Sequence, residues 1–415
     1  MKIAIIGGGI SGLGAAYLLH KEHAITLYEQ EKFVGGHSRT IAVQTPSGAT
    51  QVDTGFIVFN QRNYPYLSAL FRHLDVPTSP SHMSFGVTID QGWLEYGTGS
   101  PLSLLAQKRN LVRPEFYGML RNILFFNRKI QGFVASNPKA TVQECFDGLK
   151  LGAWFQNYYL LAMCGAIWSM SAEQVRDFPA RTMIGFLNNH GLLSVNDQPQ
   201  WHTVRGGSQE YVRRLFAPFS GCIRLDCGAR AVKRHENGVE IHDAKGGCDH
   251  YDQVIFACHS DQALNLIAEP TLSEREILGS IHYQKNHIIT HADATFMPRN
   301  RQAWSSWVYL AEQGAESCLS LSYWMNNLQP LEVDDPVFVT LNPHRAPDPS
   351  LVYDYHEFAH PIFDQAAIAA QKRLEEIQGH DGIWFCGAWQ GYGFHEDGLK
   401  SAVKVAEKLG VPWNL

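Results

Sequence analysis

GGGISGLGAAYLLHKEHAITLYEQ, residues 7–30, decides the fold. KIAIIG precedes and overlaps it, a continuous apolar run of the kind a parallel strand covered on both faces requires. Gly7, Gly9 and Gly12 then hold G-x-G-x-x-G spacing, between that strand and a helix predicted from Ser11 to Lys21. Gly7 permits a tight turn, Gly9 lets the backbone approach a pyrophosphate, and Gly12 lets helix and strand pack closely. The free N–H groups and dipole of a helix N-terminus favour that anion. AITLYE is a second strand, and Glu29 ends it twenty residues beyond Gly9, where a carboxylate can accept both ribose hydroxyls. No arginine follows Glu29, so a 2′-phosphate is disfavoured and NAD or FAD remains.

FVGGHSRT adds a Gly35–Gly36 pair with Arg39 behind it. A second glycine turn so near the ribose acid suits a long dinucleotide. Backbone N–H groups and Arg39 could meet its second phosphate. VDTGF, Val52 to Phe56, is a third glycine turn after a strand.

The chain has 415 residues and is 45% hydrophobic, beyond one comfortable core, so two domains are expected. A net charge of -6 leaves no basic footprint for nucleic acid. The opening MKIAIIGGG has no signal-peptide cleavage site, and no run nears the ~20 apolar residues of a membrane span. A cytoplasmic protein is the expectation. Eight cysteines form no CxxC pair, and the nearest two, Cys222 and Cys227, have no histidines at zinc spacing. Reduced thiols and no metal site are expected.

Strand patterns recur in TIAVQT and TQVDTGFIVF, then in CIRLDC, ARAVKRHENGVEIHD and YDQVIFAC. Helical periodicity marks YPYLSALFRHL, PEFYGMLRNILFFNRKIQGFV, and residues 142–163 and 180–190. A mixed block, 270–378, contains HIITH, SCLSLSYW and PVFVTL, and the chain ends with GIWFCGAW and a helix from Asp397 to Leu409. The expected fold class is α/β. A discontinuous Rossmann-type domain (1–60, 200–269, 380–415) carries an inserted α+β substrate or cap domain (61–199, 270–379).

Seven separated motifs occur in order: GGGISGLGAA, Glu29, GGHSRT, VDTGF, VRGGSQEYVRRL (204–215), VIFACHSD (254–261) and FCGAWQGYGFHEDGLKSAVKVAEKL (385–409). In them the chain resembles the flavin-containing amine oxidase-like superfamily. That superfamily includes monoamine and polyamine oxidases, protoporphyrinogen oxidase, phytoene desaturases and bacterial fatty-acid isomerases. The likeness is strongest to a bacterial branch of NAD/FAD-binding proteins.

The resemblance implies FAD, held non-covalently because no cysteine stands at the usual thioether position. It places Gly7, Gly9, Ile10, Ser11, Gly12, Glu29 and Gln30 around the ADP half. Gly36, His37, Ser38 and Arg39 fall on the ribityl-phosphate side, Gly55–Phe56 before the isoalloxazine, and Val232 over the adenine. Gly387 begins the C-terminal glycine turn. Asp397, Gly398 and Leu399 would start a helix aimed at the N1/C2=O edge, which favours hydride acceptance at N5.

Two departures stand out. Gly387–Ala388–Trp389 lacks the relatives' acid for a ribityl hydroxyl, and backbone groups or Glu396 would have to replace it. His395 occupies the place of one aromatic of the amine cage. The relatives' strand lysine falls on Lys285 or Asn286, which face opposite ways. Asn286 is the expected inward residue. Asn286, His395 and Glu396 are the candidate catalytic residues, with His395 or Glu396 taking up a proton.

NILFF, YYLLAMCGAIWSM and AWSSWVYL suggest an apolar pocket. The expected reaction takes a hydride from an apolar substrate, a lipid acyl chain or an amine, to flavin N5. The alternatives are a redox-neutral fatty-acid double-bond isomerase and a non-catalytic flavoprotein assisting a lipid-modifying enzyme. The basic, aromatic helix 114–134 would either dock peripherally on an anionic membrane or be a plain solvated face over a buried one.

Overall fold

A computed structural model describes residues 1–168, 170–193, 198–312 and 320–415. Five parallel strands form the nucleotide sheet, in the order Ile223–Arg224, Ala24–Tyr28, Lys2–Ile6, Gln253–Phe256 and Ile383–Phe385. Three distant stretches of chain therefore meet in one sheet. Lys2–Ile6 is central, and Ile3, Ala4 and Ile5 are wholly buried, as expected for a strand covered on both faces. Ile3 and Ile5 pack with Leu13, Ala15, Leu399 and Ala402 of two helices, Ile10–Leu19 and His395–Lys408. Ala4 and Ile6 pack on the other side with Val232, Val239 and Ile241 of a three-stranded antiparallel sheet.

A second, seven-stranded mixed sheet runs Val352–Pro361, Tyr283–His291, Phe338–Leu341, Ser320–Trp324, Trp307–Ala311, Phe85–Ile89 and Leu94–Gly97. Helices between residues 101 and 189 pack against its end, around Phe116, Phe126, Phe146 and Phe155. The longest, Pro114–Ser136, buries Phe116, Met119, Phe126, Ile130 and Val134 at helical spacing. No helix among the described residues is long and apolar enough to cross a membrane.

Four local readings differ from expectation. Helix Pro65–His73, grouped with the cap from the sequence, buries Leu67, Leu70 and Phe71 beside Leu13 and Val405 of the nucleotide core. The strand expected through TQVDTGFIVF ends at Asp53, whose side chain is wholly buried, and pairing resumes only at Phe59–Asn60. The helix expected over 142–163 stops at Gly148, where Lys150 takes a positive φ of 53°. It restarts at Ala153 and contains a π-helical turn at Gln156–Leu160. The final helix begins at His395, two residues before the expected start. Ser169 of YYLLAMCGAIWSM and residues 317–319 of SCLSLSYW lie outside the described residues. The seven described cysteines are free thiols.

Candidate active site

The opening turn uses its three glycines differently. Gly7 has φ 107°, and a Cβ there would come 2.9 Å from the Ala257 carbonyl oxygen. A Cβ on Gly12 would stand 1.8 Å from the Gly7 oxygen, so neither position tolerates a side chain. Gly9 meets nothing within 4 Å, so this glycine faces open space. The helix it starts has no side-chain cap, which leaves the N–H groups of Ile10, Ser11 and Gly12 for a ligand.

Glu29 is 8% exposed and points back at this turn. Its carboxylate accepts the N–H groups of Gly8 (2.7 Å) and Glu31 (2.9 Å), which orient it and leave lone pairs for ribose hydroxyls. Burial raises its pKa, and those N–H groups pull the other way. The second glycine turn docks on the first. Gly35 N–H donates to the Gly8 oxygen at 2.8 Å, and a Cβ on Gly36 would lie 3.1 Å from Gly9 Cα. Gln30 is exposed at the rim beside Gly228. Val232 is 1% exposed on the antiparallel sheet, within the nucleotide domain's apolar core.

Beyond Gly36 the chain turns toward the seven-stranded sheet. Arg39 pairs bidentately with Asp354 (2.8 and 3.1 Å), which joins the glycine-turn segment to that sheet. Asp354 thus balances the charge that the sequence reading assigned to a phosphate, and the Arg39 Nε–H takes no part in that pair. Gly55 and Phe56 close onto His37, whose carbonyl accepts the Phe56 N–H at 2.8 Å. The Phe56 ring stacks on His395 with centroids 3.9 Å apart. Ser38 Oγ links the Tyr211 hydroxyl (2.5 Å) to His395 Nε2 (2.8 Å). Burial lowers the His395 pKa to about 3, so the ring is neutral near pH 7 and a weak base. The ring is thus oriented and neutral, the form able to accept a proton, but of low basicity in this setting.

A group of histidines lies beside this seam, of which the sequence had singled out His37 but not its neighbours His259 and His360. His37 has its centroid 5.3 Å from His360 and 6.3 Å from His259. It stacks on Phe358 at 4.4 Å, and His259 stacks on Tyr283 at 4.3 Å. Burial, followed by the neighbouring imidazoles, pushes His37 well below its ordinary pKa, and burial takes His360 to about 4. His37 Nε2 is a buried polar atom without a hydrogen-bond partner. Asn286 is wholly buried and joins the group, its Nδ2 donating to His360 Nδ1 at 3.1 Å and its Oδ1 accepting from Asn342 at 2.8 Å. Lys285 points to solvent and pairs with Glu357 at 3.0 Å.

The C-terminal helix corrects three assignments. Since it begins at His395, its unbonded N–H groups belong to His395, Glu396 and Asp397. Gly398 N–H already donates to the Phe394 oxygen at 3.1 Å, so neither Gly398 nor Leu399 offers a donor to a ligand. Gly398 serves close packing, because a Cβ there would meet Ser11 Oγ at 2.8 Å, while Leu399 is wholly buried. The Asp397 carboxylate accepts the Tyr392 and Phe394 N–H groups, both at 3.0 Å, and fixes the entering loop. Glu396 caps helix Pro65–His73 by accepting the Tyr66 (2.9 Å) and Leu67 (3.0 Å) N–H groups. Its carboxylate is thereby turned toward that helix, where it serves as a cap, rather than standing as the proton acceptor or ribityl acid expected from the sequence. Gly387 N–H donates to Ser401 Oγ at 2.8 Å, and the Trp389 indole is buried beyond it.

Asp53 also escaped sequence reading. It is wholly buried and gathers Thr40, the Ser208 N–H and hydroxyl, and Gln329. It therefore ties the segment after the second glycine turn to the start of helix Gln209–Phe216 and to the connection between two inner strands of the large sheet. A cavity of about 250 Å³ opens where the helices meet the loop before His395, with an aromatic and aliphatic wall of Trp168, Phe178, Phe363, Ile368 and Tyr392 and a polar one of Thr182, Gln371 and Lys372. Trp168 Nε1 is a buried donor without a partner.

Residues 5–74 match the family of NAD(P)-binding Rossmann-like domains. A Mycobacterium tuberculosis protein named as the flavin-containing monoamine oxidase AofH is 25% identical over 259 residues, covering 59% of this chain and 54% of that protein. The chain thus spans about half the length of the curated relatives it matches. Cyclohexylamine oxidase from Brevibacterium oxydans superposes with a TM-score of 0.69 at 16% identity, covering 99% of both chains. A CLA-producing fatty acid isomerase from P. acnes gives 0.68 at 13% identity, covering 98% of both. With a Rossmann-like domain built into this shared architecture, the chain has the fold of the amine oxidase-like superfamily.

Proposed function

We propose that the protein is an FAD-dependent oxidoreductase that removes a hydride from an apolar substrate, a lipid acyl chain or an amine. The observation that carries this reading is the meeting of two glycine turns and two helix starts at one crevice. Gly36 lies against Gly9, and Gly398 lies against Ile10 and Ser11. One helix start suits the pyrophosphate and the other the far end of a long dinucleotide. Three further features fit FAD: the open space at Gly9, the oriented Glu29 carboxylate and the unpartnered His37 Nε2.

In this reading Ile10, Ser11 and Gly12 hold the pyrophosphate and Glu29 holds the ribose. When bound, FAD supplies the two-electron acceptor. The positive end of the C-terminal helix, at His395 to Asp397, favours the negative charge that develops on reduction. Tyr211 and Ser38 orient the neutral His395 ring, and Asn286 with His360 places an uncharged polar pair where relatives carry lysine. The aromatic wall of the cavity favours apolar substrate groups, with the unpartnered Trp168 Nε1 among the donors that could position them. The names of the M. tuberculosis relative and the Brevibacterium oxidase favour an amine, and that of the P. acnes enzyme favours a fatty acid.

The outer surface supports a lipid source. Among the described residues, seven of the thirteen large exposed apolar side chains lie between Leu102 and Phe125, including Leu102 (76%), Val112 (81%) and Leu124 (63%). Lys108, Arg109, Arg121, Arg128 and Lys129 are exposed around them, and the stretch 101–130 contains one acid, Glu115. That combination suits peripheral contact with an anionic bilayer, although the whole chain is acidic.

A second reading, redox-neutral double-bond isomerisation, is favoured by Asn286 standing where the lysine of amine oxidation would be. One experiment separates the two. The flavin-loaded protein is mixed anaerobically with lipid extract or with amines. Net flavin bleaching that recovers on admitting oxygen supports the oxidoreductase. Product without net bleaching supports the isomerase. An absence of both with every lipid and amine would remove both and leave a non-catalytic flavoprotein.

A further inference from the structure

The three-stranded sheet Ala229–His235, Gly238–Asp243 and Cys248–Tyr251 buries Val232, Val239, Ile241 and Tyr251 against the nucleotide core. Alternation along the strands sends Lys233, His235, Glu240, His242, Cys248 and His250 to the opposite, solvent face. Glu240 pairs directly across from His250, and His242 directly across from Cys248. Two opposed pairs on neighbouring strands bring four metal-ligating side chains onto one small patch.

The contacts converge on Glu240. His242 Nε2 lies 2.5 Å from one carboxylate oxygen. The Nε2 atoms of His235 and His250 each lie 3.6 Å from the other. The Cys248 thiol hydrogen-bonds the same carboxylate, and Cys248 is the exposed cysteine among the seven described. One donor atom each from Glu240, Cys248 and His250 lie within 4.8 Å of one another.

We propose that Glu240, Cys248 and His250 form a binding site for a zinc-class divalent cation, outside the dinucleotide crevice. Zinc takes thiolate, imidazole and carboxylate donors at about 2.0–2.3 Å in tetrahedral array. Its donors therefore lie somewhat closer together than in this cluster, and the exposed Cys248 and His250 side chains are free to rotate inward. The thiolate donor selects against magnesium and calcium. His242 orients the carboxylate, and the fourth position is open to water or to His235. On binding, the Cys248 S–H bond breaks, its proton passes to solvent and a sulfur–metal bond forms, with no change in oxidation state.

The test uses the full-length, flavin-loaded protein with Zn²⁺, and separately with Co²⁺. One equivalent of Zn²⁺ should be retained against a chromogenic chelator. Co²⁺ should give a thiolate-to-cobalt charge-transfer band. Cys248→Ser should remove the band and the retained Zn²⁺, and His242→Ala should weaken binding by about tenfold. Circular dichroism and flavin content, unchanged in both variants, would establish that the fold survives. Failure to retain Zn²⁺, a cobalt spectrum without the thiolate band, or unchanged binding in Cys248→Ser would each overturn the site.

Discussion

Acidification from about pH 7.5 to about pH 5 should destabilise the protein through its buried neutral histidines. His395 is lowered to about 3, and His360 and His291 to about 4, each mainly by burial. An unfolded histidine titrates near 6.5. Above that value neither state is protonated and these residues contribute no pH dependence. Below it the unfolded chain takes up protons that the fold refuses, so stability falls as pH falls toward the folded values. At about pH 5 each group contributes about 2 kcal/mol of loss, about 6 kcal/mol for three. His360 and His395 keep some solvent contact, which reduces this to about 4 kcal/mol. Asp53 works in the opposite direction. Burial pushes it from 3.8 up to about 6, so the fold gains its proton first as pH falls. That returns about 1 kcal/mol. The net loss of about 3 kcal/mol is a large share of the about 5–15 kcal/mol that holds a typical domain together. Urea unfolding of the flavin-free protein at several pH values checks this. His291→Gln, whose amide can keep the bonds to Thr340 and Asp293, should remove that histidine's share of the slope. A midpoint that stays constant or rises toward pH 5 would refute the neutral-histidine account.

Glu29→Ala should weaken FAD binding by about 10–100-fold, the value of one or two hydrogen bonds to a charged group, read by flavin fluorescence titration of the flavin-free protein. Glu29→Gln should lose less, because its amide oxygen can still accept. Asp53→Ala leaves the Ser208 N–H and the Gln329 amide buried without an acceptor. It should cost about 2–4 kcal/mol and appear as a lowered Tm. Gly12→Ala, with its 1.8 Å clash, should yield no folded, flavin-loaded protein, whereas Gly118→Ala, which meets nothing within 4 Å, should leave yield and flavin content unchanged. Replacing Leu102, Val112 and Leu124 together by Ser should reduce co-sedimentation with anionic vesicles while leaving turnover of a water-soluble substrate intact. Equal co-sedimentation of the two proteins would remove the membrane contact.

The nucleotide half of the molecule was legible because its constraints are local. Gly7 and Gly12 are required by backbone packing, and Glu29 by a fixed strand length, so their spacing carries the fold. The start of the last helix was not legible, since Phe394 is not a capping residue type, and Asp397 resembled the cap that it supplies from inside the helix. Glu396 is next to His395 in sequence, but its partners, Tyr66 and Leu67, are more than three hundred residues away. Periodicity identified helix Pro65–His73 and its apolar face, but periodicity does not say which core receives that face. The histidine group was hidden for the same reason, because His37, His259, His360 and His395 come from four distant segments. The cluster at Glu240 was overlooked because the cysteine spacing drew attention to Cys222 and Cys227. The pairing of a short hairpin is what sets His250 opposite Glu240.

The most direct test of the central claim is the absorption spectrum of the purified protein, followed by identification of any chromophore released on denaturation. The account predicts a yellow protein that releases one equivalent of FAD, takes it up again, and does so about 10–100-fold more weakly in Glu29→Ala. A colourless protein that cannot take up FAD, or one that binds NAD in its place, would contradict it.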